Sequence, residues 1–269
     1  MRERSAPVVL AYHRISRRPL WAGTWITPRR LAKQIDALLA AGHRLLAPGD
    51  ERYNASPTTA VVGSRPVLLT FDDGTVDLVE HGAVLAERGC AGIVFVPAAL
   101  IGCPNHWEWR LPGRATRHLT GGELRQLATA GWEIGLHGAH HRDLTALAPD
   151  RLDEELTGGR RRLEDAVGCA VHRCAYPYGR TDPRVAAAAS AAGFSEGFVL
   201  TRAPRGVPGS LARTRRPVYC IDSTRDLLAK VIDPRGRTVA GKWERFKEEA
   251  AHGVGRWCAA ARPRHDRDR

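Results

Sequence analysis

Short apolar runs punctuate the chain at Val8–Tyr12, Val67–Phe71, Gly92–Val96, Glu133–His137, Arg173–Tyr176 and Phe198–Thr201, and each predicts a buried strand. Between them the apolar positions change to helical spacing. Pro28–Ala41 carries Leu31, Ile35, Leu38 and Leu39 on one stripe, with Thr27 as N-cap and Pro28 at the first helical position. Leu78–Arg88, Thr120–Ala130, Pro149–Val167 and Pro183–Ala192 predict further helices, the second of these weakened at its start by Gly121-Gly122. Gly42, Gly89, Gly131, Gly168 and Gly193 fall where the five helices should stop.

Repeated strand–helix units of this length predict a parallel sheet wrapped by helices, either a barrel or a doubly wound sheet. The polar motifs decide between them. Asp72-Asp73 and Pro177-Tyr178 lie just past the C-terminal end of a predicted strand and His137 lies at one, the rim where barrel enzymes place their chemistry, so a (β/α) barrel is expected. Two insertions interrupt it, Asp50–Ser64 and the Trp107- and Trp109-bearing stretch Cys103–His118. The expected division is one domain over 1–234 and a basic helical tail over 235–269.

A hydrophobic content of 43% with 26% charged residues is that of a water-soluble globular chain. No run approaches the ~20 apolar residues that span a bilayer. The first apolar run is shorter than a signal-peptide core and reads as the first strand, so a cytoplasmic location is expected. The six cysteines form no CxxC pair and are expected as free thiols. The net charge of +12 invites a nucleic-acid reading, but the basic residues are scattered arginines, with lysine only at 33, 230, 242 and 247. Nucleic acid is therefore not an expected partner; anionic glycans, nucleotide-sugars or lipid headgroups suit such a surface. Trp243, Phe246 and Trp257 among basic residues predict peripheral membrane contact by the tail.

The chemistry begins at Thr70-Phe71-Asp72-Asp73-Gly74. Neighbouring strand residues point to opposite faces, but at a strand end the alternation breaks, and Gly74 lets the chain turn so that both carboxylates converge. Taken alone, Asp-Asp-Gly reads equally as a surface turn. His137-Gly-Ala-His140-His141 tips the balance: His137 and His141, at i and i+4, share one face of a helical turn and can grip one ion, with His140 at i+3 as competitor. One carboxylate and two imidazoles suit Zn²⁺ and related first-row ions such as Co²⁺ or Ni²⁺, leaving the second Asp as a base.

With Cys174-Ala-Tyr-Pro-Tyr-Gly179 a resemblance becomes explicit. The chain resembles the polysaccharide deacetylase family (the NodB-homology group, carbohydrate esterase family 4) in TFDDG, in the H-x-x-x-H motif followed by Asp143-Leu144, and in this third motif. Its opening, Val9-Leu-Ala-Tyr-His13-Arg-Ile15, resembles the branch acting on poly-N-acetylglucosamine-type exopolysaccharides. The likeness runs from about Pro7 to Asp222 and implies a distorted (β/α) barrel of the NodB-homology type.

By this resemblance Asp73, His137 and His141 bind the metal and Asp72 is the general base. The oxyanion is met by the metal and by the main-chain N–H that follows Pro177, that of Tyr178. A Leu-x-His acid is missing, since after Gly179 the histidines are His252 and His265 in the tail. In the resembled branch the acid is the N-terminal histidine, here His13; the alternative is a strand-end histidine packed on Arg14. Gly138 replaces the usual Ser or Thr and removes a hydrogen bond to the ligand loop. Ala175 stands where many relatives have an arginine orienting the base. Arg215 or Arg216 is the candidate for that role, against a solvated charge cluster. Trp107 and Trp109 either stack on a sugar ring or anchor their insertion.

The implied activity is metal-dependent removal of an N-acetyl group from an acetamido sugar in a glycan precursor, a lipid-linked glycan or a glycosylated metabolite. Deacylation of a non-sugar amide, or binding without turnover, are the competing readings.

Overall fold

The computed structural model describes residues 7–17, 20, 23–50, 64–105, 116–200 and 202–233. Ten strands appear among them: β1 (Val8–Tyr12), β2 (Arg14–Ile15), β3 (Trp25–Ile26), β4 (Arg44–Leu45), β5 (Pro66–Phe71), β6 (Ile93–Val96), β7 (Glu133–Leu136), β8 (Arg173–Ala175), β9 (Glu196–Leu200) and β10 (Arg213–Pro217). Seven close a parallel ring in the order β1-β10-β9-β8-β7-β6-β5, with β5 returning to β1. The closing register runs from Val8↔Val67 to Tyr12↔Phe71 on one side of β1, and pairs Leu10 with Arg216 on the other. β4 pairs with the start of β5, while β6 takes its end. The fold is thus the expected distorted (β/α) barrel.

Eight α-helical segments surround the described ring: α1 (Pro28–Ala40), α2 (Asp77–His81), α3 (Ala83–Ala86), α4 (Gly121–Thr129), α5 (Pro149–Asp153), α6 (Gly159–Val167), α7 (Pro183–Ala191) and α8 (Thr224–Ile232). Thr27 caps α1 as predicted, its side chain accepting from Arg30 N, and the five stop glycines all adopt positive φ. The stretch predicted as one helix over Leu78–Arg88 breaks at Gly82 into α2 and α3. Pro149–Val167 is continuous, but a π turn over Glu154–Gly158 joins α5 to α6.

Strand alternation divides the core in two. Val8, Leu10, Tyr12, Val67, Leu69, Phe71, Val94 and Val96 face the helices. Val9, Leu68, Ile93, Phe95, Ala175 and Phe198, joined by Leu46, fill the barrel lumen. Burial of this kind contributes roughly 25 cal/mol per Å² of apolar surface, and it fixes the register because a one-residue slip would exchange the two faces. At Gly135 a Cβ would lie 2.5 Å from the Phe95 ring, so the lumen aromatic fits only against a bare backbone there.

No described helix is long and apolar enough to cross a membrane. Cys169 and Cys174, adjacent enough in sequence to invite a bridge, are both free, one exposed and one buried. The predicted tail over 235–269, with its membrane-facing aromatics, lies outside the described residues, as do Trp107 and Trp109.

Candidate metal and catalytic centre

The lumen parity of each strand carries on past its end. In β1 it runs Val9, Ala11, His13; in β5, Leu68, Thr70, Asp72; in β7, Glu133, Gly135, His137; and Arg215 holds the same parity in β10. Four strands therefore deliver His13, Asp72, His137 and Arg215 to one mouth of the barrel.

Asp73 leaves this alternation. Its φ of 69° is left-handed, and it turns the carboxylate so that Oδ1 lies 3.7 Å from His137 Nε2 and 3.4 Å from His141 Nε2. The turn is strapped by the segment entering α4: His118 Nδ1 donates to Asp73 O at 2.8 Å, Leu119 N to Gly74 O at 2.8 Å and Val76 N to Arg117 O at 3.0 Å.

Asp73, His137 and His141 are all buried and each presents one ligand atom, the three lying within 4.8 Å of one another. His137 Nδ1 donates to Ala175 O at 2.7 Å, which fixes the ring and leaves the Nε2 lone pair toward the carboxylates. Burial lowers the His137 pKa against the pull of Asp72, so the imidazole stays in the neutral form that ligates. Two imidazoles and a carboxylate of this spacing fit a Zn²⁺-like ion.

The predicted helical turn joining His137 to His141 is not formed. Gly138 (φ 70°) and His141 (φ 58°) are both left-handed, so the two histidines approach across an irregular loop, their ring centroids 4.9 Å apart and edge to face. His140 is turned away from the cluster, its Nδ1 donating to Glu155 Oε1 at 2.8 Å.

Among the described residues, the non-glycine positions with positive φ are Asp73, His141 and Tyr178, all in this one site. Such conformations cost about 1–3 kcal/mol each and persist where surrounding structure imposes them. Tyr178 follows buried Pro177, sets its ring edge-on to His141 at 4.9 Å, and donates from its hydroxyl to His141 O at 3.4 Å.

Asp72 is held by Arg215, whose Nη1 donates to Oδ1 at 2.6 Å and Nη2 to Oδ2 at 2.8 Å. Arg215 is fully buried above the Phe95 ring at 5.3 Å and the Phe198 ring at 6.0 Å. The reading of Arg213–Pro217 as a solvated cluster is therefore corrected: it is a barrel strand, with Arg215 buried on the lumen side against Phe95 and Phe198 while Arg216 has the opposite parity. Burial would raise the Asp72 carboxyl, but the charge and hydrogen bonds of Arg215 foremost hold it well below the usual carboxylate range.

His13 Nε2 stands 3.8 Å from Asp72 Oδ2. The Arg14 side chain is engaged with Asp77, to which its Nε donates at 2.7 Å, with Ile15 N donating to the same carboxylate oxygen at 2.9 Å. Burial lowers the His13 pKa to about 4, against the pull of Asp72 and aided by Arg215, so at neutral pH the ring is neutral. Three residues here escape sequence reasoning: His118, Asp77 and Glu155. Their roles arise from contacts between distant segments that no local motif signals.

The sequence profile of the polysaccharide deacetylase family matches residues 60–197, just over half of the chain. The chain belongs to that family. YxkH of Bacillus subtilis (strain 168), a protein named for the same family, is 26% identical over 148 residues, 55% of this chain and 47% of its own length. The chain thus spans about half of that relative. Among solved structures, IcaB from Ammonifex degensii superposes with a TM-score of 0.68 at 26% identity, covering 85% of this chain and 97% of its own. The Streptococcus pyogenes deacetylase PplD, in complex with acetate, gives 0.67 at 20% identity over 84% and 97%. A polysaccharide deacetylase from Bacillus cereus gives 0.67 at 20% over 84% and 68%. At these last two identities the likeness speaks for the fold alone.

Proposed function

We propose that the protein removes an N-acetyl group from an acetamido sugar by metal-assisted hydrolysis, releasing acetate and a free amine. Asp73, His137 and His141 would hold the divalent ion, Zn²⁺ foremost and Co²⁺ or Ni²⁺ as alternatives. Such an ion supplies Lewis acidity, acidifying a water and polarising the acetyl carbonyl. Asp72 takes the proton as water oxygen bonds to the carbonyl carbon. The oxyanion faces the Tyr178 N–H, a preorganised main-chain donor. His13, neutral at rest, gains its proton from Asp72 and gives it to the nitrogen as the C–N bond breaks. Arg215 keeps Asp72 ionised and aimed.

One observation carries this reading. Asp72 Oδ2 lies 3.8 Å from His13 Nε2 and 4.0 Å from His137 Nε2, so the base stands between the acid and the ligand set. The family match and the IcaB likeness favour an N-acetylated sugar over a non-sugar amide.

The test is amine release from N-acetylglucosamine oligomers and lipid-linked N-acetyl sugars by metal-free, Zn²⁺- and Co²⁺-loaded protein, beside Asp72→Asn and His13→Ala. Metal-dependent release is expected, abolished by Asp72→Asn and reduced about 10²–10⁴-fold by His13→Ala. Stoichiometric metal without release from any sugar would defeat the sugar assignment and leave a non-sugar amidase or a binding protein.

A further inference from the structure

The loop that carries two of the three candidate metal ligands is gripped from outside by two side chains, the Tyr178 hydroxyl on His141 O and the carboxylate of Glu155 on His140. Glu155 is buried, with 1% of its surface exposed, and both of its oxygens are spent inside the His137–His141 loop. Oε2 accepts from His140 N at 3.0 Å and Oε1 from His140 Nδ1 at 2.8 Å. A carboxylate placed this deep costs several kcal/mol to desolvate unless its acceptor sites are filled, so the loop and Glu155 constrain each other.

Three local features bring Glu155 there. The π turn over Glu154–Gly158 interrupts the helix at this residue, and such bulges cost regular hydrogen bonding and gather at functional sites. Gly159 lets the helix backbone close on the loop: a Cβ there would lie 3.2 Å from Leu136 Cδ1 and 3.3 Å from Ala139 N. Gly138 clears the space for the carboxylate itself, since a Cβ at 138 would lie 2.8 Å from Glu155 Oε2. The departure at 138 and the buried acid at 155 are therefore two halves of one arrangement. A side chain at 138 would have to share that space with Glu155 Oε2.

We infer that Glu155 is a positioning residue that presets the His137–His141 loop for the metal, acting through His140. This rests on the reading of Asp73, His137 and His141 as the metal set. Removing such an outer partner typically weakens metal binding about 10–100-fold.

The experiment titrates apo protein with Zn²⁺ by competition against a chromophoric chelator, for wild type, Glu155→Gln, Glu155→Ala and Gly138→Ser, with the melting temperature of each apo form. Gln keeps the volume but removes the charge, and its NH₂ can pair with Nδ1 only if the His140 ring changes tautomer. Expected are a Kd raised about tenfold or more in Glu155→Gln, an apo melting temperature close to wild type, and a weakened affinity in Gly138→Ser that Glu155→Ala partly relieves. A Glu155→Gln Kd within twofold of wild type, or failure of that variant to fold, would make Glu155 a helix-packing residue and overturn the inference. Wild type that binds no Zn²⁺ would instead sink the metal reading itself, and this inference with it.

Discussion

The guanidinium of Arg215 donates to both oxygens of Asp72, a residue 143 positions earlier in the chain, with both side chains buried. A bidentate pair at this depth is stabilising only while both halves are present. Arg215→Ala should cost about 3–5 kcal/mol by leaving a buried carboxylate without its counter-charge. Arg215→Lys should recover part of the stability but little activity, because an ammonium cannot match both oxygens. Replacing both partners (Asp72→Leu with Arg215→Met) should restore much of the melting temperature while activity stays lost. Thermal melts beside amine-release assays separate these outcomes.

Chelation should lower the melting temperature reversibly. At a free metal concentration a hundred times Kd, binding adds about 2.7 kcal/mol, and Zn²⁺ returned to apo protein should restore it. His137→Ala and Asp73→Asn should each abolish the metal-induced shift and the bound stoichiometry read by elemental analysis. A shift that survives in both variants would place the ion elsewhere.

Gly179→Ala tests the turn that presents Tyr178. Gly179 has a φ of 66°, and a Cβ there would lie 2.6 Å from Leu200 Cβ and 2.7 Å from Leu200 N. Gly49 has a similar φ of 76° with nothing within 4 Å, so Gly49→Ala reports the backbone strain alone. Gly179→Ala should lose about 1–3 kcal/mol to overpacking beyond that control, and turnover with it. Equal melting temperatures in the two variants would contradict this.

Glu123 gives a pH signature. It closes the capping box of α4 with Thr120 and accepts from Arg117 through both oxygens at 2.7 Å. The Arg117 hydrogen bonds foremost, and those from Thr120, lower its pKa from 4.5 to about 2 against modest burial. A depressed folded-state pKa means stability that is present above pH 4.5 and is lost as pH falls toward 2. The melting-temperature gap between wild type and Glu123→Gln should accordingly be widest near neutrality and narrow across that window.

How much of this was legible before folding depends on where each signal resides. TFDDG, HGAHH and the Pro177-Tyr178 turn are contiguous, and strand ends place them, so Asp72, Asp73, His137 and His141 could be named from the chain alone. The i,i+4 spacing misled about the path between the histidines, because Gly138 and His141 take left-handed backbone that spacing does not encode. β10 hid behind its own charge: Arg213-Thr-Arg-Arg-Pro shows no apolar alternation, and Arg215 belongs in a lumen only because Asp72 waits there. α8 left a trace in its Ser223–Asp226 capping box, followed by Leu227 and Val231. Glu155 left none, since its role depends on a π turn and on two glycines that only the folded chain brings against it.

The ring order has a consequence for synthesis. β1 is made first, yet it lies between β5 and β10, and β10 is the last strand of the ring to leave the ribosome. Domains fold as units while the chain emerges. Until Pro217 is released the ring stays open, and Asp72 lacks its counter-ion. A nascent chain halted before β10 would carry the candidate metal set and Asp72 with no arginine to hold that carboxylate. Closure of the barrel and pairing of Asp72 with Arg215 thus fall on the same step.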